Sequence, residues 1–253
     1  MLLGLPITAQ TQYSLINTAT TKSSSLSVDN FGNFYAVGDY QITKYDRDGK
    51  QLQRYEEVKY GKIGSFDISN PMKLTVYYPD FMTAVVLDRF LTIVTTYSFF
   101  DLGYQNVTAA GTASDGQLWF YDNISFTLRK IDETAKIRLQ SQPVNQLIDK
   151  VITPNFLMER NTQVYVNDPT VGILVFDNFG AYYKTIPIKG LRKFQVLQEQ
   201  IVYFEEGKLK SYNPTTFEAK MITLPDTSDV LQSVIEKERI AILKKDHVDF
   251  YKY

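Results

Sequence analysis

The chain has no cysteine and a single histidine, His247. Disulfides, Cys-ligated zinc and thiol nucleophiles are thereby excluded, as are His-rich metal sites and a His–His relay within one chain. An excess of one charge is also missing. Lys and Arg number 27 against 28 Asp and Glu, with no long run of either sign. That removes the electrostatic footprint of a nucleic-acid binder or a polybasic membrane anchor. No stretch approaches the roughly 18–20 apolar residues that span a bilayer as a helix. There is no Gly-x-Gly-x-x-Gly phosphate loop and no Gly-x-Ser-x-Gly elbow.

What the chain does have is aromatic and apolar residues. Of its 253 residues, 18 are Tyr and 16 are Phe. Beside many Val, Ile and Thr, these favour strands, because such side chains fit a pleated, half-buried surface. The length suits one all-β unit. The first ten residues, Met1 to Gln10, read as the remnant of a secretory signal: a short apolar stretch, then Ala9 as the last residue before a cut. A positive leading segment is missing, and an apolar first strand is the alternative. Export is therefore expected, to the periplasm or the outer membrane, with residues 1–10 a remnant or tail and residues 11–253 one domain.

An internal repeat organises the rest. Second strands begin near Asn33, Lys73, Gln117, Gln163, Gln200 and Arg239. Third strands end at Tyr45-Asp46, Leu87-Asp88, Ile131-Asp132, Phe176-Asp177, Tyr212-Asn213 and Tyr251-Lys252. Two landmarks stepping together about every 40 residues match the four-stranded blade of a propeller. Chance alternation in a sandwich would not keep both in step. The Asp or Asn ending five of these strands reads as turn chemistry, its side chain bonding nearby backbone N–H groups.

The sequence thus predicts an all-β, six-bladed β-propeller with four-stranded blades, at residues 23–58, 63–101, 106–142, 153–188, 192–224 and 229–253. The last copy stops after its third strand, and the strand expected at residues 12–18 has no blade of its own. Placed on the edge of the last blade, it closes the ring and removes the open sheet edge. Residues 143–152 place Val144, Leu147, Ile148 and Val151 at helical spacing, predicting one or two turns capping a rim or a longer crossing.

The turns Asp29-Asn30-Phe31-Gly32-Asn33-Phe34-Tyr35 and Ser114-Asp115-Gly116-Gln117-Leu118-Trp119 carry a family resemblance. So do Ile42-Thr43-Lys44-Tyr45-Asp46-Arg47-Asp48-Gly49 and its echo from Leu174 to Gly180. Through them nearly the whole chain resembles six-bladed propellers of the NHL and gluconolactonase-like group, and it looks most like exported propellers of Gram-negative cell envelopes. The gluconolactonase side of that resemblance implies a divalent cation at the channel mouth. The loops between second and third strands carry one acid per blade: Asp39, Asp80, Asp122, Asp168, Glu205 or Glu206, and Asp246. A Ca2+-dependent lactonase or hydrolase would need these oxygens to converge. Ordinary turn propensity is the competing explanation, and the enzymes' Glu–Asn–Asn–Asp ligand set finds no residue-by-residue match.

His247 lacks a positioned nucleophile or orienting acid and reads as a surface-loop residue. Trp119, Phe120 and Tyr121 read as core. A lectin would repeat one aromatic per blade at one loop position, which is not found. Tyr97, Phe99, Phe100 and Tyr104 lie near the outer strand of the second blade, where exposed aromatic surface would mark a contact; packing between blades is the alternative. The expectation is a non-catalytic binding or scaffold propeller of the bacterial envelope, without a cofactor, contacting a protein partner through a rim or side face.

Overall fold

The computed structural model describes residues 12–253, so the signal remnant expected at residues 1–10 lies outside the described residues. Strand β1 (Ser14–Thr20) comes first. Blade one is β2 (Ser25–Val28), β3 (Phe34–Val37), β4 (Gln41–Tyr45) and β5 (Gln51–Glu56); blade two is β6 (Ser65–Asp67), β7 (Leu74–Tyr78), β8 (Thr83–Leu87) and β9 (Ile93–Ser98). Blade three is β10 (Val107–Thr112), β11 (Leu118–Asp122), β12 (Thr127–Ile131) and β13 (Ile137–Gln140). A short helix, α1 (Val144–Ile148), leads to blade four: β14 (Phe156–Arg160), β15 (Gln163–Asp168), β16 (Gly172–Asp177) and β17 (Tyr182–Ile186). Blade five is β18 (Gln195–Leu197), β19 (Gln200–Glu205), β20 (Lys208–Tyr212) and β21 (Ala219–Ile222); β22 (Gln232–Glu236), β23 (Arg239–Leu243) and β24 (His247–Lys252) follow. These form six antiparallel four-stranded sheets, the last ordered β1-β24-β23-β22.

Burial within each blade follows the strand sequences. β7 (Leu74-Thr75-Val76-Tyr77-Tyr78) and β8 (Thr83-Ala84-Val85-Val86-Leu87) are buried throughout, because neighbouring sheets cover both of their faces. The outer strand β9 is largely exposed and carries Thr and Ser. Six apolar clusters form the core, one between each adjacent pair of blades. Val144 of α1 is buried in the cluster between blades three and four, so the 143–152 segment caps that rim with one helical turn.

The strand-ending acids act as turn pins. Asp46 Oδ1 accepts from the amides of Asp48 and Lys50, and Asp88, Asp132 and Asp177 repeat the pattern two and four residues on. Asn213 Oδ1 accepts from Thr215 and Thr216. Each turn needs a residue at positive φ, and Gly49 supplies it in blade one. A Cβ at Gly49 would also run into the Phe250 ring of blade six.

β1 closes the ring. It pairs with β24 from Ser14↔Lys252 to Thr20↔His247, with a bulge between Leu15 and Asn17. Thr18 Oγ1 donates to Asp249 at 2.6 Å, and Asn17 Nδ2 to the Gly49 carbonyl at 2.8 Å. The closing strand therefore lies two residues later than expected: its pairing runs to His247, where Thr21 N continues it by donating to the Asp246 carbonyl.

Blade three sets the shape of the centre. β10 and the next two residues read Val107-Thr108-Ala109-Ala110-Gly111-Thr112-Ala113-Ser114, small side chains that let this strand approach its neighbours closely. A Cβ at Gly111 would stand 2.5 Å from the Leu157 carbonyl oxygen and 3.1 Å from Asp67. The inner strands of blades two, three and four thus crowd together, and the open channel lies between blades one, two, five and six.

Candidate functional site: the channel and its rims

Antiparallel blades place the loops between second and third strands on one face, here the upper, together with the crossings from blade to blade. The turns between first and second strands, and between third and fourth, lie on the lower face. The channel joining the two faces is pinched into two cavities. The upper has a volume of about 680 Å³ and is bordered by the starts of β2, β6 and β22 and by the crossing into β18. The lower holds about 50 Å³, room for little more than water. Phe66, Phe156 and Lys193 line both and form the waist.

The acids expected to hold a cation all sit on the upper face, but they are not assembled into a site. Asp39 pairs with Lys62 at 2.6 Å, and Asp80 accepts from the Lys62 amide at 3.2 Å. Asp122 pairs with Arg129 at 3.2 Å and accepts from Ser125. Asp168 caps its own turn at Thr170 and Val171 and takes the Thr153 amide. Glu205 pairs with Lys210 at 2.7 Å, and Asp246 meets His247 at 2.5 Å. Among the described residues no three His, Asp or Glu side chains are grouped as metal ligands. The physical reason is local: turn amides and neighbouring cations claim these carboxylates, Glu206 apart, before they can reach the axis. Asp39, Glu205 and Glu206 border the upper cavity, whereas Asp80, Asp122, Asp168 and Asp246 do not. His247 opens β24, the third strand of its blade, and lines neither cavity.

A second set of acids, of which only Asp29 stands out in the sequence through its turn motif, sits at or just beyond the lower ends of inner strands. Asp67 is buried; it accepts from the amides of Ser69 (2.9 Å) and Thr112 (2.8 Å) and from Ser69 Oγ (3.0 Å). Burial pushes its carboxyl up to about 6 even though these donors oppose the shift. Glu159, also buried, accepts from Trp119 Nε1 at 2.6 Å and from Ser114 Oγ. Asp29 accepts from the Phe31 and Asn33 amides and from Tyr35 Oη, all at 2.9 Å. Asp67 and Glu159 reach across blade boundaries and grip blade three from both sides. Their sequence signal was the small-residue stretch of β10, which leaves room for a carboxylate beside the backbone.

Lys193, in the crossing to β18, stands inside the channel. Both cavities touch it, so its surface stays partly open although protein surrounds it. Burial pulls its ammonium down to about 8, with Asp67 opposing. Its amine is within hydrogen-bond reach of Ser27 Oγ.

The four aromatics expected as a contact divide. Phe99 is 0% exposed and packs between blades two and three, 4.8 Å from Phe120 and 6.2 Å from Tyr104. It is core and cannot touch a partner. Tyr97 and Tyr104 are partly buried against the same cluster, and Arg129 lies over the Tyr104 ring at 5.3 Å. Phe100 is 72% exposed. The Phe99 amide bonds the Met82 carbonyl, which brings Phe100 beside the turn carrying exposed Phe81. Leu102 and Ile124 extend the apolar surface, the latter on a turn tied by Asn123 N to the Asn106 carbonyl.

No protein-family model and no curated protein matches the chain. Solved structures share its fold. A catalytically inactive histidine-to-alanine form of virginiamycin B lyase from Staphylococcus aureus, with quinupristin, superposes with a TM-score of 0.62 at 13% identity, covering 96% of this chain and 100% of that one. The Pan2 WD40 domain of Neurospora crassa gives 0.57 at 10% identity, covering 95% of each chain. BamB from Moraxella catarrhalis gives 0.53 at 11%, covering 90% of this chain and 84% of that one. At these identities the likeness is one of fold: the chain is a six-bladed β-propeller, and any activity must be argued from its own side chains.

Proposed function

We propose that this protein is a non-catalytic binding propeller, exported to the cell envelope, that docks a protein partner on the upper rim of blades two and three. The observation that carries the reading is the patch of Phe81, Phe100, Leu102 and Ile124, exposed on a face whose own packing needs are met by Phe99 and Phe120 beneath. Exposed apolar surface on loops of a stiff β scaffold suits recognition. The envelope setting rests on the secretory-signal pattern of residues 1–10.

The test compares two exposed phenylalanines on opposite faces. A photo-crosslinking amino acid at position 100 is expected to capture one protein in the native envelope, while the same group at position 179, on a lower-face turn, captures none. Phe100→Ser should lose that partner and keep its unfolding midpoint. Equal capture from both positions, or none from position 100, would sink the reading.

A further inference from the structure

We propose that the upper cavity binds a small organic carboxylate, its anionic group seated on the Lys193 ammonium between the Phe66 and Phe156 rings. At about 680 Å³ the cavity falls within the volume range of small-molecule sites. Its floor is the waist, where Lys193 is flanked by two aromatic side chains.

The charge there is unanswered. An ammonium has three donors. Lys193 uses one on Ser27 Oγ and makes no ion pair within 4.0 Å among the described residues. The carboxylate that acts on it through space, Asp67, is occupied by the Ser69 and Thr112 donors. On the lower side, Asp29 is likewise committed to its own turn and to Tyr35, while Glu236 and Arg160 bring opposite charges. On the upper side, Asp39 is neutralised by Lys62 and Glu205 by Lys210, leaving Glu206 against Arg192 and Lys193. Counted within the upper cavity alone, Arg192 and Lys193 exceed Glu206 by one positive charge, the acids Asp29, Asp67 and Glu236 all lying below the waist. A buried cation without a partner costs stability, and an anion entering from the upper mouth removes that cost. Ser24, Ser25 and Ser65 on the walls can bond the rest of a polar ligand.

The probe is benzoate, a carboxylate on an aromatic ring, read by two-dimensional NMR of the full chain with neutral benzamide as control. Saturable shifts are expected at Phe66, Phe156 and Lys193, with benzamide weaker by about tenfold or more, as for loss of a charge-assisted bond. Lys193→Met should abolish benzoate binding, because it removes the ammonium on which the carboxylate is seated. A destabilised variant is checked against Asp46→Ala, a turn variant that touches neither cavity, leaves the ammonium in place and should retain binding. No saturable benzoate shift at the waist, equal binding of benzamide, or binding unchanged in Lys193→Met would each overturn the proposal.

Discussion

Asp246 and Glu159 are both acids at the edge of a strand, on opposite faces of the propeller. The Asp246 side chain is 81% exposed and meets only its neighbour His247. Glu159 is 4% exposed and holds the indole of Trp119 and the hydroxyl of Ser114, both on blade three. The upper-rim acids are mostly loop residues whose charge water or a local cation already satisfies. The buried lower acids are structural ties between blades, because a carboxylate removed from water must collect donors wherever the fold supplies them. One acid per blade on a rim says less about chemistry than two acids converging on a single blade.

The sharpest way to break this contrast is Glu159→Ala. It leaves the buried Trp119 N–H without the carboxylate that accepts from it, so a loss of about 3 kcal/mol is expected in urea unfolding. A loss as small as that of a rim acid would mean that water replaces the carboxylate and that the tie is not structural.

Asp67 sharpens the contrast through pH. Its folded pKa, about 6, lies above the ordinary carboxyl value of 3.8. The contribution of this raised group is fully present below pH 3.8 and is lost as pH rises through about 6. Two units correspond to at most about 3 kcal/mol. Unfolding free energies measured from pH 4 to 7 should therefore fall more steeply in the wild type than in Asp67→Asn. Parallel profiles would show that its neighbours compensate the burial.

Asp46 provides the intermediate case, a half-buried acid that pins two turn amides. Asp46→Ala should cost about 1 kcal/mol by chemical denaturation. The smallest effects belong to the upper rim. Asp39→Ala and Asp246→Ala are each expected to move the urea midpoint by no more than its experimental error, since exposed ion pairs contribute little. A loss of several times that from either would give the upper rim a structural load that its geometry does not show.

The same division explains what could be read before folding. Blade number, strand order and ring closure follow from nearest-neighbour rules: β-branched and aromatic runs make strands, and Asp or Asn with a residue at positive φ makes the turn. The pins at Asp46, Asp88, Asp132, Asp177 and Asn213 needed nothing more distant than four residues. The closing strand was placed two residues early because its register is set by β24, at the other end of the chain.

Phe99 and Phe100 show where local reasoning stops. They are adjacent and chemically identical, and only the position of blade three decides that one is core and the other surface. The Asp67 and Glu159 ties, the off-centre channel and the isolation of Lys193 depend in the same way on contacts between residues about 40 positions apart or more. The sequence by itself determined the repeat, its turns and the need for a closing strand, because those are short-range consequences of backbone and side-chain chemistry. Which acids are buried, which phenylalanine faces water and where an unpaired charge is left were decided only by the tertiary structure, since burial and pairing belong to the packed ring rather than to any one blade.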